Sequence, residues 1–237
     1  MNVLGIIPAR YHSSRFPGKP LVNIDGKSMI QRVYEQAKKC KELNDLIIAT
    51  DDIRIFTHVK SFNGNVKMTA KNHQSGTDRC AEIIRKIDKK FDVIINIQGD
   101  EPTINPQQIS SLIKLFKKPH TEIGTLAKKI TSDIQINDPN VVKVMFDKNN
   151  IALSFFRERE KSNNMFFKHI GIYAFKESIL LKITKLKETK NESKYNLEQL
   201  RWLDNHYKIS ICETVYDNIS VDTEEDLNKL LKQEFNT

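Results

Sequence analysis

The sequence predicts an α/β fold built on a mostly parallel sheet, and three observations predict it. Short apolar runs bounded by turn residues recur along the chain, helical stretches separate them, and the strand that opens the series comes at once. Val3 to Pro8 reads as a buried first strand, and a polar loop then runs to about Lys27. Ser28 can cap a helix whose apolar face is Met29, Ile30, Val33 and Ala37, and Leu46 to Ala49 follows as a second strand.

Cys80, Ile83, Ile84 and Ile87 fall at i, i+3, i+4 and i+7. Asp78 and Glu82 lie early in that stretch and Lys86, Lys89 and Lys90 late, as the helix dipole prefers. Asp92 to Ile97 is another buried strand, and Pro106 opens a helix with Ile109, Leu112, Ile113 and Phe116 on one face. After Ile123 to Lys128 the rhythm loosens. Val141 to Phe146, Ile151 to Phe156 and His169 to Phe175 read as strands of a small antiparallel excursion, with NDPN and DKNN as turns. Helical stretches near Glu177 to Lys185 and Leu197 to His206 precede a strand at Lys208 to Glu213, and Thr223 caps a last helix carrying Leu227, Leu230 and Leu231. No internal repeat or low-complexity linker interrupts the chain.

At 237 residues and 39% hydrophobic content the chain can bury one substantial core, which excludes fibrous and disordered classes. No apolar run approaches the roughly 18 residues of a membrane span, and MNVLGIIPAR lacks a basic leader, so neither membrane nor export is expected. Cys40, Cys80 and Cys212 are far apart and odd in number, which suits a reducing cytoplasm rather than a disulfide or zinc framework. The net charge of +8 would suit nucleic acid or another anion. Its lysines are scattered among Asn and Ile without interleaved aromatics or an RNP signature, so a solvated basic surface is expected and a nucleic-acid module is the rival reading.

The first strand ends in Pro8-Ala9-Arg10-Tyr11-His12-Ser13-Ser14-Arg15-Phe16-Pro17-Gly18-Lys19-Pro20. Ligands of open parallel sheets sit at the carboxyl ends of strands, and this loop puts Arg10, Arg15 and Lys19 there, a cradle of triphosphate size. A plain basic surface loop would not need three prolines and a glycine to hold three cations together. Gly18-Lys19 precedes Pro20, Gly26-Lys27-Ser28 has Leu21 where a Walker A loop needs glycine, and GxGxxG is absent. Gln98-Gly99-Asp100-Glu101-Pro102 brings Asp100 to the same sheet edge, where a carboxylate beside phosphates suits Mg²⁺. Asp222 is a second candidate, although by spacing alone it reads as an acid at a helix start.

IIPAR-x4-R-x-PGKPL, ATDD, HQSGTDR, NIQGDEP, NDPNVVKV, HIGIYAF, LEQLR and VDTEEDL occur in an order that resembles the 3-deoxy-manno-octulosonate (Kdo) cytidylyltransferases. The resemblance covers the chain from Ile6 to about Leu231. It implies a three-layer nucleotidyltransferase fold of the nucleotide-diphospho-sugar transferase type, in one domain over 1–237. A sugar-binding and dimerisation excursion is implied at about 129–175. It implies transfer of CMP from CTP to the anomeric 2-hydroxyl of Kdo, releasing pyrophosphate, in lipopolysaccharide biosynthesis, with Mg²⁺ as cofactor and a homodimer as assembly. Residue by residue, it implies triphosphate binding by Arg10, Arg15 and Lys19, catalysis by those three with Asp100, and nucleotide contacts from Gln74 and Ser75. Arg79 would contact the sugar from the same loop. Gln98 would lie beside the α-phosphate, and Asp100 and Asp222 would hold the metal. The implied sugar pocket comprises Arg157, His169, Tyr173, Glu198 and Gln199.

Two departures from the family pattern fall on the sugar side. Arg157-Glu158-Arg159-Glu160-Lys161 lacks the Ile-Pro-aromatic stretch that usually follows the pocket arginine, and Tyr195 stands where many relatives carry glutamate. A related acid such as 8-amino-Kdo or a sialic-type sugar is therefore the alternative substrate.

Overall fold

The computed structural model describes residues 1–13, 15–158 and 165–235. Ser14 of the basic loop and Arg159, Glu160 and Lys161 of the departing segment lie outside the described residues. The chain divides into two compact units, one of residues 1–110 with 218–237 and one of 111–217.

In the first unit β1 (Val3–Ala9) is followed by the basic loop, a 3-10 turn at Lys19–Leu21 and a short hairpin of β2 (Asn23–Ile24) and β3 (Lys27–Ser28). Helix α1 (Met29–Lys38) begins where expected, with the Ser28 hydroxyl accepting from the Gln31 N–H at 3.2 Å. Met29, Ile30, Val33 and Ala37 are all buried on its inner face. Next come β4 (Asp45–Thr50), α2 (Ile53–Ser61), β5 (Val66–Met68), α3 (Gly76–Arg85), β6 (Val93–Asn96) and α4 (Pro106–Leu115). Strand β1 pairs in parallel with β4 and β6, and β4 with β5, so the order is β6-β1-β4-β5. Leu4, Ile6 and Ile7 of β1 are fully buried, as expected of a strand covered on both faces. Helix α2 and β5 have no counterpart among the sequence expectations.

In the second unit β7 (Ile123–Lys129) leads through a short α5 (Asp133–Asn137) to β8 (Lys143–Phe146), β9 (Ala152–Phe156) and β10 (Phe167–Lys176). These are the expected excursion strands: β8 pairs antiparallel with β9 and β10, and β10 antiparallel with β7. Then follow α6 (Glu177–Ile183), α7 (Lys190–Tyr195), α8 (Glu198–Asp204) and β11 (Ile209–Glu213), the last parallel to β7. Phe175 and Trp202 are almost wholly buried and pack edge to face, with centroids 5.3 Å apart. Asp217 closes the unit by accepting Lys128 at 3.1 Å and Lys168 at 2.7 Å.

From residue 218 the chain rejoins the first unit and forms α9 (Glu224–Leu230), capped by Thr223 in a reciprocal box with Asp226. Val221 and Leu230 pack with Ile24 and Met29 in one buried cluster. No described helix is long and apolar enough to cross a membrane. Cys40 and Cys80 are buried, Cys212 is partly so, and all three are free thiols.

Candidate active site

At the end of β1 the basic loop turns back on itself. The Gly18 N–H donates to the Tyr11 carbonyl at 2.8 Å, and Gly18 sits at φ 73°, where a side chain would be strained and would crowd the Tyr11 ring. The following 3-10 turn, with buried Pro20, aims Lys19 inward. The Lys19 ammonium donates to Asp100 at 2.7 Å, Asp222 at 2.9 Å and the Val221 carbonyl at 3.3 Å, and only 15% of its side chain is exposed. Arg15 adds an ion pair to the other Asp222 oxygen at 3.1 Å. Burial alone would lower the Lys19 pKa, but the Asp100 and Asp222 carboxylates outweigh it and raise it. Asp222 shows the mirror effect: burial pushes its carboxyl up, and Lys19 and Arg15 bring it below its ordinary value.

Two hydrogen bonds, one between main chains and one between side chains, bring Asp222 to this point. The Val221 N–H donates to the Asp100 carbonyl at 2.9 Å, and the Asn218 amide donates to the buried Glu101 carboxylate. The segment returning at 218 is thus tied to the loop after β6. Gly99 in that loop passes so near β1 that a Cβ there would lie 2.5 Å from the Pro8 carbonyl, a contact no side chain tolerates.

Helix α3 supplies a third wall. Ser75 caps it in a reciprocal box with Asp78, and a Cβ on Gly76 would touch the Pro8 ring at 3.3 Å, so the positive end of the helix abuts the end of β1. The preceding loop is held by Glu82, which accepts from the Ala70 N–H at 2.9 Å, from Lys86 at 2.5 Å and from the His73 ring. Burial pushes Glu82 up, yet these donors hold it at about 2. Arg79 is 4% exposed and donates to Asp51 at 3.2 Å, to the Ala70 carbonyl and to the Thr69 hydroxyl.

These elements enclose a cleft of about 400 Å³. Nine residues singled out from the sequence line it together: Arg10, Arg15, Lys19, Gln74, Ser75, Arg79, Gln98, Asp100 and Asp222. Ser13, His73 and Gly99 line it as well, the last through the close backbone approach that the QGD sequence signals. Among the described residues no group of three or more His, Cys, Asp or Glu could hold a metal. Two carboxylates, Asp100 and Asp222, already converge on one cationic atom, and that donor set fits Mg²⁺, which takes one or two carboxylates and completes its shell with phosphate and water.

The remaining candidates belong to the second unit. His169 and Tyr173 flank a register break in β10, where the Thr125 hydroxyl is within 3.0 Å of the His169 ring and donates to the Ile172 carbonyl at 2.8 Å. His169 packs edge to face on Phe155, and Tyr173 edge to face on Trp202. Burial brings His169 down to about 3, so the ring is neutral, and burial with nearby Glu198 pushes the Tyr173 hydroxyl well up. The Tyr173 hydroxyl is buried without a hydrogen-bond partner among the described residues. Glu198 and buried Gln199 open α8. Arg157, at the end of β9, donates to the Pro139 carbonyl at 3.2 Å and to the Tyr195 carbonyl at 3.4 Å. Fully buried Lys143 ties the same turn by donating to the Asp138 and Arg157 carbonyls, each at 2.6 Å.

A family model described as cytidylyltransferase matches residues 4–209. A 3-deoxy-manno-octulosonate cytidylyltransferase of Parabacteroides distasonis is 48% identical, over 98% of this chain and 97% of its own. An 8-amino-3,8-dideoxy-manno-octulosonate cytidylyltransferase of Shewanella pealeana is 46% identical, over 96% of each. A solved structure of CMP:2-keto-3-deoxy-manno-octonic acid synthetase complexed with CTP superposes with a TM-score of 0.92 at 37% identity, over 97% of both chains. The basic loop, the paired carboxylates and these full-length matches agree: the chain belongs to the cytidylyltransferase family, among its 3-deoxy-manno-octulosonate members.

Proposed function

We propose that the protein transfers CMP from CTP to the anomeric 2-hydroxyl of Kdo, giving CMP-Kdo and pyrophosphate for lipopolysaccharide synthesis. The observation that carries this reading is the convergence of Arg10, Arg15, Lys19, Asp100 and Asp222 on one cleft beside the positive end of α3. Attack in line at the α-phosphorus needs positioning and charge neutralisation more than covalent help. Arg10, Arg15 and Lys19 take the phosphates, and Lys19, its pKa raised, keeps its proton through the reaction and offsets charge on the departing pyrophosphate. Gln74, Ser75 and Gln98 orient the nucleotide. Asp100 and Asp222 would hold Mg²⁺, whose chemistry is to polarise an α-phosphate oxygen and acidify the attacking hydroxyl.

Arg79 with Arg157, His169, Tyr173, Glu198 and Gln199 is assigned to the sugar acid. The unpaired Tyr173 hydroxyl supports this, since a sugar hydroxyl would satisfy a group otherwise costly to bury. The second reading is an 8-amino-Kdo substrate, favoured by the Shewanella relative and by Tyr195 in place of the usual glutamate. The chain works as one cytidylyltransferase domain in a cytoplasmic homodimer, a setting that three free cysteines suit.

Pyrophosphate release, measured with CTP, ATP and GTP against Kdo, 8-amino-Kdo and a sialic acid, tests the reading. Release should require Mg²⁺, be fastest with CTP by at least about 10²-fold, and favour a Kdo-type acid. Equal rates with all three nucleotides would discard the assignment. Steep, salt-sensitive polynucleotide binding without turnover would favour the nucleic-acid module instead.

A further inference from the structure

Arg10 and Lys19 flank, and Arg15 lies within, the turn that Tyr11 and Gly18 close, and a side chain from outside the cleft lies against that turn. Tyr11 and Gly18 close it by the main-chain bond at 2.8 Å, with the Tyr11 ring lying against Gly18. The guanidinium of Arg54, from the first turn of α2, lies on that ring with its central carbon 3.3 Å from the centroid. Arg54 is itself fixed. Its Nε and Nη2 donate to Asp52 at 2.9 and 2.6 Å, and the same carboxylate caps α2 by accepting from the Arg54 N–H at 2.9 Å. The Arg54 hydrogen bonds keep Asp52 at about 2, so the fork is charged throughout the neutral range. None of Tyr11, Asp52 and Arg54 is among the residues lining the cleft.

We infer that Arg54 and Tyr11 form a clamp that holds the basic loop in the shape presenting Arg10, Arg15 and Lys19, so that both are positioning residues for nucleotide binding. The inference rests on the assignment of that loop to the CTP phosphates. Its physical content is preorganisation. Arg10, Arg15 and Lys19 carry like charge, and a loop free to spread them must be gathered again each time a triphosphate binds. A planar guanidinium locked to a helix end and stacked on the ring removes that cost beforehand.

Steady-state kinetics separate the clamp from a general effect on the fold. Arg54→Ala and Tyr11→Leu should each raise KM for CTP by about 5- to 10-fold, with kcat and KM for the sugar acid within about twofold of the parent. Tyr11→Phe keeps the ring face and should match the parent. Arg54→Lys keeps the charge but loses the fork and the stack, and should behave like Arg54→Ala. The double variant Tyr11→Leu/Arg54→Ala should be no worse than either single one, because both remove the same contact. A KM for CTP within twofold of the parent in Arg54→Ala, full rescue by Arg54→Lys, or additive losses in the double variant would each overturn the clamp. Lys19→Ala, run beside them, tests the underlying assignment. If it raises KM for CTP while Arg54→Ala does not, the clamp alone is wrong; if it leaves KM unchanged, the loop does not grip phosphate and both readings fall.

Discussion

The cleft of the first unit and the aromatic cluster of the second handle charge in opposite ways. Around Lys19 the charges are kept and matched: one ammonium meets two carboxylates within 3 Å, and Asp222 stays ionised because cations face it. Around His169 and Tyr173 charge is suppressed, since burial holds the imidazole neutral and the phenol protonated. A site of the first kind suits phosphates and a divalent cation, whose charge exceeds what solvent-screened side chains would hold. A site of the second kind recognises by shape and by neutral hydrogen bonds, which suits polyhydroxylated substrates. On the proposed assignment, specificity for the nucleotide's charge and for the sugar's outline can therefore change separately.

The largest expected effect breaks the charged half. Asp100→Asn and Asp222→Asn should each lower kcat by about 10²- to 10³-fold while melting like the parent protein, because each removes one of two preorganised charges. Near-normal turnover in Asp222→Asn would reduce that residue to an acid at the start of α9. A smaller effect is expected on the sugar side. Tyr195→Glu supplies a hydrogen-bond acceptor and should sharpen the ratio of kcat/KM for Kdo over 8-amino-Kdo by about 10-fold, with KM for CTP unchanged. A ratio that does not move would mark Tyr195 as silent drift.

The smallest effect concerns stability against pH, where the two units should differ in window. His169 titrates at about 3 in the fold against 6.5 when exposed, so below 6.5 the unfolded chain takes up a proton that the native chain refuses. Its contribution is whole above that pH and fades as the pH falls toward 3. Glu82, at about 2 against 4.5, contributes fully above 4.5 and loses its contribution as the pH falls through 2. Melting curves from pH 7 to pH 5 should therefore fall by about 3 °C less in His169→Gln than in the parent. Glu82→Gln should run parallel to the parent over that range and diverge only in more acid buffer. Identical slopes for His169→Gln and the parent would show that the ring is solvated.

Much of the first unit was legible because its signals are local. Cys80, Ile83 and Ile84 bury one helix face, Val93 to Asn96 is a wholly buried run, and the cations of the basic loop sit within ten residues. Helix α2 was not legible: Ile53 is 64% exposed, so the apolar positions that face inward are masked by one that does not. Strand β5 is only three residues long. Helix α7 is polar on nearly every face, and its trace in the sequence is the Thr189 to Glu192 capping box rather than any hydrophobic period. The pairing of Asp222 with Lys19 carries no local signal at all, and only the family resemblance raised that aspartate above a plain acid at a helix start. Glu101 and Asn218, which bring Asp222 into place, went unnoticed for the same reason.

Asp222 lies 203 residues beyond Lys19, and its segment docks against the loop after β6 once the whole second unit has been made. On the ribosome the strands β1 to β6 can pair from contiguous chain, because each parallel crossover is local and N-terminal regions fold first. Of the two carboxylates that Lys19 meets among the described residues, only Asp100 is then in place until residue 222 clears the exit tunnel. The charge pairing of Lys19 is therefore completed late in translation, and a nascent chain that already has the first unit's sheet still lacks half of that carboxylate pair.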